Sequence, residues 1–389
     1  MRKQPMLSAF TLLALLALVA VLMSTGCGQK PPPATGPASG ASGPASSASA
    51  PAANANEEYV MIGISTGVEY WNANKQGLMD VCQELGVKGT FTGPQDQNPE
   101  QQANIMDQII ARKPAGILIA PGNPKTLKPY INKAVEAGIP VICVDTDAPD
   151  SNRIAYFGTS NFEAGVTGAR ILCKSILALH KGQTPPSGKW QVAISSRPGQ
   201  WNLDERVRGY KETIAKEFPQ VEVVQVVDDE TKYSVGEQKC SAVIAAHPDI
   251  AGFAGCNAAS GPGIAAAVTA AGKVGKIVVV AMDGDSAILD KIESGVITSS
   301  VAQRQYYMTY IGVKYLYGLV HGDFRKPGDA TKPNLPEVPK IIDTGTVEVN
   351  KDNVKVFRTP SQGAKEDLAT KHPDWLKLLS DHAAKPAGK

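Results

Sequence analysis

The chain is poor in several features that would have pointed directly to a chemistry. It has only 5 histidines in 389 residues, none at ligand spacing from a cysteine or another histidine, and no Cys-x-x-Cys pair. A zinc site is therefore not expected. A dense block of Lys and Arg is also missing, and 39 basic residues stand against 37 acidic ones for a formal net charge of +2. Nucleic acid and anionic lipid surfaces are bound through concentrated positive fields, so neither is expected as a main partner. Aromatic residues make up only 6% of the chain, which makes Trp71 and Trp201, in polar loops, conspicuous. Cysteines are few. Beyond Cys27 there are five, Cys82, Cys143, Cys173, Cys240 and Cys256, an odd set that cannot pair fully within one chain. Most lie in apolar runs such as VICVD and FAGCN, where a cysteine acts as a small buried hydrophobe.

What is present begins with an export signal. Arg2 and Lys3 precede an apolar run from Met6 to Met23, and Ser24-Thr25-Gly26-Cys27 follows. The small residues before Cys27 resemble the lipobox of bacterial lipoproteins, in which that cysteine is lipidated and becomes the mature N-terminus. The lipobox usually has Leu where Ser24 stands. An apolar stretch of this length can also just span a bilayer as an uncleaved anchor. Both readings put the globular part outside the cytoplasm, in a periplasmic or other extracytoplasmic space. Removing residues 1–26 takes away Arg2 and Lys3 and no acid, so the remainder is formally neutral with 37 residues of each sign. Residues 31–56 contain only Pro, Ala, Thr, Gly, Ser and Asn. Such a stretch has nothing to bury and reads as a disordered tether, with a reach of roughly 30 Å.

From residue 59 onward, apolar strand-like runs alternate with amphipathic helical patterns. YVMIGIS, GTFTG, GILIAP and PVICVD form one series; KWQVAISS, VEVVQVV, IAGFAGCN, KIVVVAMD and GVITSSVAQ form a second. Strands apolar on both faces and separated by helices predict parallel sheets covered on both sides, an α/β architecture. The count is too high for one compact sheet, and the segment from Asp147 to Phe162 falls between the series, so two similar lobes are expected. Ligands of open parallel sheets bind beyond the carboxyl ends of the strands. The polar residues at those ends include Ser65, Asp145, Asp147, Ser195, Ser196, Asn257, Asp283 and Gln303.

Three stretches imitate enzymes. VICVDTDA (141–148) and VVVAMDGD (278–285) have the apolar-run-then-Asp-x-Asp form of haloacid-dehalogenase-type phosphatases, but such enzymes carry it on their first strand. GISTG (63–67) matches a nucleophile elbow, yet VEYWN intervenes before the helix and no downstream Asp-then-His pair follows. GPGIAA (261–266) resembles a dinucleotide-binding loop, but Gly before Pro is ordinary helix-start chemistry. Trp71 and Trp201 either staple their loops to a core or offer a flat face to a sugar ring. Arg206 either reaches a ligand or joins a surface charge network with Asp204.

ISTGVEYW, DQNPEQQANIMDQIIARKPAGILIAP, GIPVICVDTDAP, NLDERVRGYKE, AAHPDIAGFAGCN, VVVAMDGDSAILDKIESGVITSSVAQRQYYMTYIGVKYL and IIDTGTVEVNKDNV together, in this order, resemble the periplasmic sugar-binding proteins of the ribose-binding type, the type I solute-binding proteins of ABC importers. The likeness covers nearly all of residues 58–357. It implies two Rossmann-like lobes joined by a three-segment hinge: residues 58–159 plus 304–342, and 160–303 plus 343–358. A signal (1–26), a tether (27–57) and a tail (359–389) flank them. It further implies a monomer that closes on a monosaccharide or polyol and delivers it to an ABC permease, with no cofactor, metal or catalytic residue. Asp145, Arg206, Asn257, Asp283 and Gln303 match the family's polar sugar ligands and Trp71 its loop aromatic, with Ser65, Thr159 and Trp201 as further candidates. Gln303, Thr159 and Asp343 stand near the expected crossovers. Ribose binders carry Arg where Thr146 stands and have a longer first loop, so ribose is not implied. The alternatives are a sensor of the same fold that presents its closed form to a membrane receptor, and the phosphatase. Repressors of this lobe pair need an N-terminal helix-turn-helix, and a signal and tether take that place here.

Overall fold

The computed structural model describes residues 56–358. The expected signal, Cys27, nearly all of the tether and the tail 359–389 lie outside the described residues.

The first lobe starts with β1 (Glu58–Ile62), a 3₁₀ turn (Glu69–Trp71) and α1 (Asn72–Leu85). β2 (Lys88–Thr92), α2 (Pro99–Arg112), β3 (Gly116–Ile119), α3 (Pro124–Glu136), β4 (Val141–Val144) and β5 (Ala155–Gly158) follow. The chain then builds α4 (Asn161–Leu179), β6 (Trp190–Ser196), α5 (Trp201–Glu217), β7 (Val221–Asp228), α6 (Tyr233–Ala246), β8 (Ile250–Gly255), α7 (Ser260–Ala270), β9 (Val278–Met282), α8 (Ser286–Glu293) and β10 (Ser299–Gln303). α9 (Gln305–His321), β11 (Ile341–Asp343), β12 (Thr346–Val349) and α10 (Val354–Phe357) complete it.

These strands form two six-stranded sheets, ordered β11-β5-β4-β3-β1-β2 and β12-β10-β9-β8-β6-β7. All pairings are parallel except β10 with β12. The two orders are the same order, so β4 in one lobe corresponds to β9 in the other, and β5 to β10. Each sheet is buried on both faces by its helices, as the unbroken apolar runs require: VICV of β4 and VVVAM of β9 are buried at every position. The chain passes between the sheets around Thr159, at Arg304, and just past Asp343, which still pairs with Gly158 in the first sheet.

Local sequence explains the helix starts. In both QNP and GNP an Asn accepts from the first turn and Pro follows: Asn98 from the Gln101 N–H, Asn123 from those of Lys125 and Thr126. The segment 147–162, between the two series of strand-like runs, is more than a connection. It contains β5, whose four residues AYFG are too short a run to register as a strand in the sequence pattern. α9 was likewise not separable by periodicity, because it is buried on most sides between α1 and the first sheet and so carries no polar stripe.

Two glycines set the geometry that matters for the cleft. A methyl group at Gly165 would lie 2.1 Å from the Arg206 carbonyl oxygen, and one at Gly209 2.2 Å from that of Phe162. Their bareness lets α4 and α5 touch, and Arg206 is thereby brought against Asn161.

Candidate functional site

The carboxyl ends of both sheets face one cleft with a volume of about 530 Å³, within the ~300–1,000 Å³ typical of small-molecule sites. From the first lobe come Ser65 and Trp71, in the loop after β1, and Asp145, the residue directly after β4. The second lobe brings Arg206 from the second turn of α5, Asn257 after β8 and Asp283 after β9, with Gln303 closing β10. Seven of the nine side chains expected to meet a ligand therefore share one cavity.

Asp145 and Asp283 occupy corresponding places in the two lobes, and both have left-handed backbone, with φ of 64° and 76°. Asp is among the few residues that tolerate this conformation. Each is fixed in the same way. The Asp145 N–H donates to the Phe157 carbonyl and that of Asp283 to the Val301 carbonyl. The hydroxyl of Tyr156 donates to the Asp145 carbonyl at 2.8 Å, and that of Ser300 to the Asp283 carbonyl at 2.6 Å.

The side chains are partly satisfied and partly open. Tyr70 donates its hydroxyl to Asp145 Oδ1, and Gln303 Nε2 donates to Asp283 Oδ1 at 2.8 Å. Arg206, 4% exposed, donates Nε to Asn161 Oδ1 at 2.9 Å and Nη1 to the Cys256 carbonyl at 2.8 Å. Its Nη2 makes no hydrogen bond among the described residues, and the residue lines the cavity. Asp204 instead accepts from the Gly199 N–H, so Arg206 is not part of a surface charge network. Burial raises the Asp145 carboxyl to about 6, and nearby Asp283 adds to it, against the lowering effects of Tyr70 and Arg206. Burial also raises Asp283, with Arg206 and Gln303 opposing. One guanidinium thus serves two carboxylates, and the cavity offers charged acceptors and donors side by side.

A family model described as the periplasmic binding protein domain matches residues 59–323. The chain belongs to this family. Among solved structures, it is 32% identical to a sugar-binding protein of a sugar ABC transporter from Bacillus halodurans, with a TM-score of 0.71 over 77% of this chain and 100% of that one. It is 33% identical to an arabinose-binding protein from Geobacillus stearothermophilus, with a TM-score of 0.69 over 77% of this chain and 99% of that one. A curated relative, the D-allose-binding periplasmic protein of Escherichia coli, is 24% identical over 75% of this chain and 91% of its own length.

Two candidates stand apart from the cleft of this periplasmic binding protein. Trp201 is 67% exposed. On a helix it points about 140° away from Arg206, so the residues of α5 that line the cavity turn it outward. Thr159 is buried at the first crossover, its hydroxyl without a hydrogen-bond partner, and does not line the cavity. Trp71 is buried as well as cavity-lining, and it meets the Tyr70 ring edge-on at 5.1 Å, so it staples its loop and faces the cleft at once.

Residues that sequence reasoning passed over are Tyr70, Glu69 and Asp285. Scarcity of aromatics singled out Trp71, and its neighbour in the same VEYW loop carries the bond to Asp145. Exposed Glu69 reaches across the lobes, accepting from the Ser286 N–H at 3.2 Å and hydroxyl at 2.7 Å. Asp285 is raised to about 7 by burial and by Asp283 and Glu69.

The enzyme-like motifs resolve differently. Asp147, the second acid of VICVDTD, is held by Arg153 through two hydrogen bonds, away from the cavity. The corresponding Asp285 occupies the N-cap of α8. GISTG opens an extended loop and 3₁₀ turn rather than a tight elbow, and GPGIAA is the first turn of α7. All five cysteines among the described residues are buried free thiols, pushed up to about 12 by burial.

Proposed function

We propose that this protein captures a neutral monosaccharide or related polyol between its lobes outside the cytoplasm and delivers it to an ABC permease, acting as a binding protein and not an enzyme. The observation that carries this reading is the pair of carboxylates, Asp145 and Asp283, offered from opposite lobes to one cavity in which the Arg206 guanidinium acts electrostatically on both. A sugar hydroxyl donates to a carboxylate while accepting from a guanidinium or amide, so this set pairs each hydroxyl on both sides. Hydrogen bonds to charged groups contribute about 1.5–3 kcal/mol each. A ligand touching both lobes favours the closed state, which an importer can recognise. With Asp96, Asp145, Asp283 and Asp285 lining the cavity against the single base Arg206, a sugar acid or sugar phosphate would add further negative charge to a partly desolvated, already acidic cavity. Relatives named for D-allose and arabinose support the sugar class. Ser65, Trp71, Asp145, Arg206, Asn257, Asp283 and Gln303 are the proposed contacts, and Cys27 the proposed lipid anchor.

The test is a thermal-shift panel on the chain from residue 27 onward, with neutral monosaccharides, polyols, uronates and sugar phosphates. A micromolar ligand at millimolar concentration stabilises by about 4 kcal/mol. Neutral sugars or polyols should raise the melting temperature and the anionic ones should not. A shift produced only by another ligand class refutes the assignment.

A further inference from the structure

Beneath the cleft lies a carboxylate that the reading above does not use. Asp229, the residue after β7, is 0% exposed. Its Oδ1 accepts from the Thr231 N–H at 2.9 Å and from Asn257 Nδ2 at 3.0 Å. Its Oδ2 accepts from the Ser195 hydroxyl at 2.8 Å, from the Ser260 hydroxyl, and from Asn257 Nδ2 at 3.1 Å. A buried charge with every lone pair engaged is a rigid fixture, and removing one partner is costly. Three of its partners are the Ser195 hydroxyl in β6, the Ser260 hydroxyl in α7 and the backbone N–H of Thr231, a residue that lines the cavity. The fourth, Asn257, lines the ligand cavity as well.

The bonds of Asn257 decide which way its amide points. Oδ1 accepts from the Ala259 N–H and the Ser260 N–H, both at 3.0 Å, capping the start of α7 and using both of its lone pairs. Nδ2 faces Asp229, which only accepts. A flipped amide would set its oxygen against that carboxylate and its N–H groups against two backbone donors, so one orientation is enforced from both sides. The two oxygens of one carboxylate lie too close together to take separate N–H groups, so they share one, and the second N–H stays free on a residue that lines the cavity.

We propose that Asp229 is a positioning residue that locks Asn257 as a donor, so that this point of the cleft reads an oxygen lone pair of the sugar and rejects a ligand presenting only a donor there. This deepens the sugar-binding reading and rests on it. Asp229 never touches the ligand; it acts through Asn257.

The test is a mutant cycle on the chain from residue 27 onward, read by calorimetry with the tightest binder among D-allose, D-arabinose, D-ribose and D-xylose, and by ligand-free melting. Asp229→Asn should weaken sugar binding about tenfold, the scale of one charge-assisted hydrogen bond. In an Asn257→Ala background, or Asn257→Ser should alanine fail to fold, the same change should alter affinity by less than about twofold. Asn257→Asp alone sets two carboxylates together and should lower the melting temperature. Combining it with Asp229→Asn should recover that melting temperature but not the affinity, because position 257 then presents an acceptor. Unchanged affinity in folded Asp229→Asn, an equal loss in the Asn257→Ala background, or wild-type affinity in the exchanged pair would each overturn the proposal. If none of the four binds the unmutated protein, the neutral sugar or polyol giving the largest thermal shift takes their place, and if no neutral sugar or polyol binds, the functional reading fails instead. Melting of the ligand-free cycle then decides the Asp229–Asn257 lock alone, additive effects overturning it and recovery by the exchanged pair supporting it.

Discussion

Replacing Asp145 by Asn should make the empty protein more stable and the sugar complex weaker. The left-handed backbone at 64° suits Asn as well as Asp, and the side-chain volume is kept, so the change acts on charge. Burial raises this carboxyl from 3.8 to about 6. The folded state therefore binds the proton more tightly than the unfolded one. The associated stability is fully present below pH 3.8 and is lost as pH rises through about 6. Two units at about 1.36 kcal/mol each set a ceiling near 3 kcal/mol, and water in the open cleft reduces the expected gain from neutralisation to about 1–2 kcal/mol at pH 7.5. On the binding side, a hydroxyl bonded to a carboxylate contributes about 1 kcal/mol or more beyond one bonded to an amide, so affinity should fall about tenfold or more. In the unmutated protein, sugar affinity should itself fall as pH drops below about 6, because the acceptor is then protonated. Melts from pH 4 to 8 without sugar, and calorimetry with sugar at pH 7.5, read both arms. A variant that binds sugar as well as the original, or that melts lower at pH 7.5, would refute the reasoning.

Asp283→Asn should likewise cost at least about tenfold in sugar affinity while the fold survives, since Gln303 Nε2 retains an oxygen to bond; phosphate release should be absent in variant and parent alike, whereas a phosphatase would show turnover in the parent alone. Glu69→Gln weakens the contact with Ser286 across the lobes, so affinity should fall about threefold and small-angle scattering should show a more open ligand-free form; an unchanged scattering curve and affinity would show that this bridge does not hold the lobes. Cys27→Ser should release the protein from membranes or stall its processing; membrane association and processing left intact would count against a lipid anchor.

The fold was largely legible because its strands are buried on both faces, which writes them as unbroken apolar runs between amphipathic helices. The pattern failed where an element lacked contrast. β5 is only AYFG, and α9 is buried on most sides, so neither showed a period that sets it off. Cavity-lining residues were legible where they stood directly at strand ends, as Asp145, Asp283 and Gln303 do. Trp201 stands exposed and apart from the cavity lining, because a polar loop beside a strand end does not fix which side of the following helix a residue takes. Asp229 and Asn161 were invisible for another reason. Their work is to hold Asn257 and Arg206, and partnership across the sequence distance between α4 and α5, or between β7 and β8, leaves no local pattern.

VICVDTD and VVVAMDGD are better understood through the architecture than through the phosphatase motif they imitate. The two sheets have the same strand order, and the two aspartates follow corresponding strands. An apolar strand must end where its chain leaves the core, and a residue placed there in left-handed backbone turns its side chain back over the sheet edge. Glycine would adopt that backbone more easily but would bring no acceptor; most other residues would strain it. Asp satisfies both demands, and the hydroxyls of Tyr156 and Ser300 hold the two turns from the same position of the neighbouring strand. Duplicated architecture then delivers two like charges to one cavity from opposite sides. Burial raises both carboxyls, Asp283 adding to the rise at Asp145, and a nearby cation opposes it. Arg206, admitted by the bare surfaces of Gly165 and Gly209, is that cation. Its remaining donors and the second oxygens of the two carboxylates are the groups that the hydroxyls of the proposed sugar would pair with.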